Sequence, residues 1–240
     1  MLRRGRFCLF LAALLLIGFG SVVPARGDKN NKFELNVDRY TGTSGAFLRG
    51  AISEWDKGNI AGARQLLDAA IKADHELWPA YLMRAQAWMR AGKYDLALQD
   101  CNAAARLKPQ FTRTFIIRAQ IYAALGRCAD GLADLNQVIA IHSTPESVAF
   151  ALDRRASLRV ACRNTAVHDP KKALEDATKA CKLQRMANYL DTLALAYAAN
   201  GDFDSAIRYV KEAISSGRFE PDELKRAQIR LANYQRRQGP

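Results

Sequence analysis
WPAYLMRAQAWMRAGKYDLALQDCNAAARLKPQF, residues 78–111, holds one complete structural period of this chain. Gly92-Lys93-Tyr94 divides it into two stretches whose apolar residues recur at helical spacing, which reads as helix, turn, helix. Gly58 and Gly126 lie 34 residues to either side of Gly92, at the same point of the pattern. Around them stand Lys57-Gly58-Asn59-Ile60 with Ala63, and Gly126-Arg127-Cys128 with Gly131, matching Gly92-Lys93-Tyr94 with Ala97. A fixed period of this length marks stacked supersecondary units, none of which can bury its apolar face alone.

Extending the period outward gives units at about 44–77, 78–111, 112–145, 149–184 and 187–217. Two places in each unit carry only small residues. The eighth position holds Ala51, Ala85, Ala119, Ala156 and Ala194, and the twentieth holds Ala63, Ala97, Gly131, Ala173 and Ala206. Helices that cross closely tolerate nothing larger than a methyl at the crossing, so these positions are where the two helices of a unit should touch. The fourth unit lacks the turn glycine and carries an insertion, Arg163 to Asp169. There Asp169-Pro170 suits a helix start, because the carboxylate can accept from free N–H groups and proline fits the first turn.

The pattern resembles that of the tetratricopeptide repeat family. The resemblance is fullest in Tyr81, Ala85, Trp88, Gly92-Lys93-Tyr94, Ala97, Cys101, Ala104 and Pro109. It returns in Leu190, Ala194, Tyr197, Gly201-Asp202-Phe203, Ala206, Val210 and Ala213, and it covers about Ser44 to Gly217. It implies an all-α fold: a right-handed superhelical solenoid of about five helix-turn-helix repeats. Pro221 to Gln238 would form the polar capping helix that closes such an array, within a cap and tail at 218–240. Lys225, Arg226, Arg230, Arg236 and Arg237 make this helix basic, which is expected of a solvated cap face. His75 and Ser143 replace the closing proline in the first and third units.

Arg84, Arg118 and Arg155 recur at the seventh position, in the same units that carry Asp100, Asp134 and Asp176 at the twenty-third. Units with Gly50 and Leu193 there carry Leu66 and Tyr209 instead. Charge occurs in both places or in neither, as expected of an ion pair joining the two helices of a unit.

The resemblance also implies a function. First helices of this family line a partner-binding surface, which here selects Trp55, Leu82, Gln86, Met89, Arg90, Arg113, Ile116, Gln120 and Ser157. Gln86 and Gln120 suit the backbone of an extended segment or helix. The implied partner is a protein or peptide rather than nucleic acid. The family's Lys–Asn–Arg clamp for a terminal carboxylate would place its first two residues at Leu48 and Ile52, which cannot serve. Catalysis is not expected. His75 and His142 fall at unit ends and His168 in the insertion, with no nucleophile, phosphate-binding glycine loop or metal-ligand spacing beside them, so neither cofactor nor metal is implied.

The N-terminus reads as an export signal: Arg3, Arg4 and Arg6, then 17 apolar residues from Phe7 to Val23, then Ala25-Arg26-Gly27. Cleavage after residue 27 would remove four arginines and lower the formal charge from +12 to +8, leaving a polar lead-in at 28–43. The same apolar run is just long enough to stay as a membrane anchor. The expected location is thus periplasmic or secreted, with an anchored form as the alternative. Four further cysteines follow. Cys128 and Cys162 occupy the same edge of neighbouring units and are one candidate disulfide; Cys162–Cys181, or four free thiols, are the others.

Overall fold
In the computed structural model residues 39–141 and 144–237 are described. The expected signal at 1–27, residues 28–38 of the expected lead-in, His142 and Ser143 lie outside them. The described residues form eleven helices and no strand, falling into two compact units. The first unit holds α1 (Gly42–Asp56), α2 (Ile60–Ala73), α3 (Trp78–Arg90), α4 (Tyr94–Leu107) and α5 (Thr112–Ala124). The second holds α6 (Cys128–Ala140), α7 (Pro145–Ala161), α8 (Pro170–Leu183), α9 (Ala187–Ala199), α10 (Phe203–Ser215) and α11 (Pro221–Gln235).

Within each unit every helix packs on the next, and first helices also touch one repeat on: α3 meets α5, and α7 meets α9. The turns explain the glycine period. Gly58, Gly92, Gly126 and Gly201 have φ of +81°, +70°, +73° and +84°, where a Cβ is disfavoured. The N–H of Lys93 reaches the carbonyl of Trp88 (2.9 Å), and Asn59 and Asp202 repeat this bond to Glu54 and Tyr197, so each of these turns closes its first helix in the same left-handed cap.

The small residues lie where the period placed them: all ten at the eighth and twentieth positions are buried. Around them the first unit builds one core on Leu48, Leu67, Leu77 and Met83, and another on Leu82, Cys101, Ile117 and Ile121. In the second unit Leu152, Tyr189, Leu190 and Leu193 form one cluster, and Val210, Ala227 and Tyr234 join α10 to α11 in another.

The arginines brace this packing. Nε and Nη2 of Arg84 donate to the two carboxylate oxygens of Asp100 at 2.8 and 2.7 Å, and Arg155 grips Asp176 in the same way at 2.8 and 2.6 Å. Where the charges are missing, the neutral substitutes fit: a Cβ on Gly50 would come within 3.3 Å of Leu66, and Leu193 packs in a cluster with Tyr209. The remaining nitrogen does a second job. Nη1 of Arg84, Arg118 and Arg155 donates to Asp68, Asn102 and Asn136 at 2.7, 3.0 and 2.7 Å, reaching back to the second helix of the preceding repeat.

Two boundaries differ from the sequence expectation. α7 starts at Pro145, four residues before Ala149, because Thr144 accepts from the Ser147 N–H and proline occupies the first turn. The first helix begins at Gly42, inside the expected lead-in. The insertion is ordered by Asn164, whose side chain accepts from the Ala166 N–H and whose carbonyl accepts from Val167 and His168. Asp169 then caps α8 by accepting from the Lys172 N–H at 3.0 Å. Cys128, at the start of α6, and Cys162, at the end of α7, form a disulfide across 6.3 Å between Cα atoms. Cys101 and Cys181 are buried thiols outside this disulfide, and desolvation pushes the Cys181 thiol up to about 12, which makes it unreactive at neutral pH.

Candidate functional site
In the first unit α1, α3 and α5 present the expected partner-binding positions. Trp55 at the end of α1 and Arg90 at the end of α3 come together, the guanidinium lying 4.6 Å from the indole centroid. This places a cation over an aromatic face at the rim. Met89 is half-buried beside it. Deeper lie Gln86 on α3 and Gln120 on α5, 7% and 3% exposed. Nε2 of Gln86 and both amide atoms of Gln120 have no hydrogen-bond partner among the described residues. A buried amide left unsatisfied costs about 1–3 kcal/mol. Two such amides at equivalent positions of successive repeats are not what stability alone would retain. Arg113, at the start of α5, is half-buried, and desolvation pulls its pKa down.

Not every expected contact residue is available. Leu82 is fully buried, as is Leu48 at the clamp position, because their side chains fill the two cores of the first unit, so a partner cannot touch them. Ile116 is 6% exposed and also serves mainly to pack. Ser157, in the second unit, is buried with its hydroxyl 3.5 Å from that of Thr192.

Ser157 belongs instead to a pocket within the second unit, whose basic wall the sequence did not indicate. There α7, α9 and α11 enclose a pocket lined by Arg154, Ser157, Asn188, Asp191, Thr192 and Leu195, with Phe219, Glu223, Arg226 and Arg230 closing the other side. Two of its arginines are paired with carboxylates. Arg230 grips Asp191 through Nε (2.9 Å) and Nη2, and Arg154 meets the fully buried Asp153 at 3.0 Å. Burial raises the pKa of Asp191, while Arg230 opposes the shift. The expectation of a solvated basic face on the closing helix is therefore corrected at Arg230, which is withdrawn into an ion pair; Lys225, Arg236 and Arg237 do remain exposed. The sequence signal for it was the i, i+4 spacing of Arg226 and Arg230, which puts both on one face of α11. Nothing in the sequence says that this face meets Asp191, 39 residues away.

Among the described residues no group of three or more His, Cys, Asp or Glu is arranged to hold a metal ion, and no helix is long and apolar enough to cross a membrane.

Residues 48–110 match one tetratricopeptide-repeat family model and residues 187–216 match another. No curated protein matches the chain. Similar solved structures include a thermophilic TPR protein of Thermus thermophilus, with a TM-score of 0.63 and 17% identity over 80% of this chain and 98% of that one. PilF of Pseudomonas aeruginosa gives 0.64 and 16%, over 84% and 86% of the two chains. YrrB, described as a TPR protein with an unusual peptide-binding site, gives 0.53 and 14%, over 77% and 90%. At these identities the likeness shows a shared fold. Residues 48–110 and 187–216 thus carry tetratricopeptide repeats, and paired helices closing on left-handed glycines at residues 58, 92, 126 and 201 give the described residues the fold of that repeat.

Proposed function
We propose that the protein is a non-catalytic protein–protein interaction scaffold of the cell envelope, which holds an extended segment or helix of a partner on the exposed parts of its first helices. The observation that carries this reading is the pair of buried amides at Gln86 and Gln120 with unsatisfied hydrogen-bonding atoms, on first helices that also present the Trp55–Arg90 contact. An amide offers both a donor and an acceptor, which a peptide backbone can satisfy once small side-chain rotations admit it. The peptide-binding site named for YrrB supports the class of ligand. Export, through a signal at Arg3 to Val23, is supported by the Cys128–Cys162 disulfide, a bond that persists in oxidising compartments.

Affinity capture from the native envelope tests the surface. A Gln86/Arg90/Gln120 triple alanine variant is expected to lose the captured partner, and undiminished capture would sink the reading. The other possibility, an accessory subunit anchored by an uncleaved Phe7–Val23 segment, draws on the exposed Lys225, Arg236 and Arg237 as an anionic-lipid contact. The N-terminal residue of the purified protein separates the two: near Asp28 for an exported form, Met1 in the membrane fraction for an anchored one.

A further inference from the structure
The pocket between α7, α9 and α11 differs from the Gln86–Gln120 surface in kind, because its spare capacity is cationic. Two of its three arginines are already committed, Arg230 to Asp191 and Arg154 to Asp153. Glu223 is committed as well. Its Oε2 accepts from the Glu220 N–H in the capping box that opens α11, where the helix N-terminus also favours its charge. Arg226, half-buried and lining the pocket, acts on Asp191 through its charge but makes no hydrogen bond or close ion pair among the described residues, so its N–H donors are unspent. Asn188 spends its side-chain oxygen on the Tyr189 N–H (3.1 Å), which leaves its NH₂ to donate. Leu195 and Phe219 supply apolar wall beside these donors.

A group that fits must accept hydrogen bonds, carry negative charge and bring a short apolar stem. A carboxylate is acceptor-only and pairs with guanidinium in two parallel bonds. We propose that this pocket is a specificity subsite that seats one acidic side chain of a bound protein partner, glutamate before aspartate, with Arg226 as its pairing cation and Asn188 as second donor. The methylenes of glutamate lie along Leu195 and Phe219, a contact that aspartate is too short to make. The proposal rests on the partner-binding reading above and adds what the second unit selects.

Full-length protein presented with arrays of extended peptides, each position carrying either Glu or Gln, reads this directly. The wild type is expected to select Glu over Gln roughly tenfold at one position, as a charge-assisted pair warrants. Arg226→Gln is expected to abolish that selection while binding the Gln peptide as well as the wild type does. Lys225→Gln removes the same charge from an exposed neighbour on α11 and is expected to leave the selection intact. Equal binding of Glu and Gln peptides by the wild type, or retained selection in Arg226→Gln, or equal loss in Lys225→Gln, overturns the subsite. If no peptide binds at all, the partner-binding reading fails, and the pocket is judged alone by titrating N-acetylglutamate methylamide against its glutamine analogue. Shifts of the Thr192 and Leu195 amide resonances with the first compound, absent in Arg226→Gln, support the subsite; no shifts overturn it.

Discussion

Arg84 joins three helices with one side chain: it sits on α3, grips Asp100 on α4 with two nitrogens, and reaches Asp68 on α2 with a third. Only a planar fork of donors can do this, so lysine is no substitute. Hydrogen bonds that the guanidinium donates to Asp100 first, and to Asp68, hold it protonated well above its ordinary range, against the desolvation that opposes them. Removing one member of such a pair is costly because the other is left desolvated and unmatched. Asp100→Ala is expected to destabilise by about 2–3 kcal/mol, and the Arg84→Ala/Asp100→Ala double variant by clearly less than the sum of the two single changes. Urea denaturation of the four proteins measures the coupling, and additive changes would refute the brace. The pair itself was legible in the sequence, because arginine and aspartate appear or vanish together. The third contact was not, although Asp68, Asn102 and Asn136 keep the same 34-residue step. They differ in charge, and a polar residue on a second helix is ordinary.

At the scale of elements, the glycine turns and small-residue crossings read through clearly because each position has one local job and no substitute. Boundaries set by capping were less legible: α7 gains its first turn from Thr144 and Pro145, a signal hidden at the seam between two aligned units. The fourth repeat breaks the rhythm, and there covalent chemistry replaces the missing glycine turn. Cys162 ends α7 just before the insertion and is tied to Cys128 at the start of α6, closing a loop with a sequence separation of 34. Constraining the unfolded chain over a loop of that length contributes about 3–4 kcal/mol by the chain-entropy argument. Paired Cys128→Ser and Cys162→Ser substitution, or reduction, is therefore expected to lower the urea midpoint, and reductant should have no further effect on the double serine variant. A wild-type transition indifferent to reductant would show that the thiols are not joined in solution. The rival pairing, Cys162 with Cys181, is disfavoured for a packing reason: Cys181 faces the cluster of Leu152, Tyr189 and Leu190.

For the molecule as a whole, the repeat fold explains stability without explaining the exceptions to it, and the proposed binding surface rests on those exceptions. The brace arginines, the small residues and the left-handed glycines would serve any partner. Gln86 and Gln120 do not serve the fold, since amide groups buried without partners lower stability. Leucine at either position would keep the size, remove the unsatisfied groups and add apolar burial. Gln120→Leu is expected to raise stability by about 1 kcal/mol, seen as a higher urea midpoint at unchanged slope, while weakening partner capture. The two readouts must move in opposite directions. A Gln120→Leu protein that is less stable than the wild type would mean that the amide is satisfied in the native state. One that is more stable and captures its partner undiminished would mean that the amide is a tolerated imperfection, leaving Trp55 and Arg90 to carry the contact.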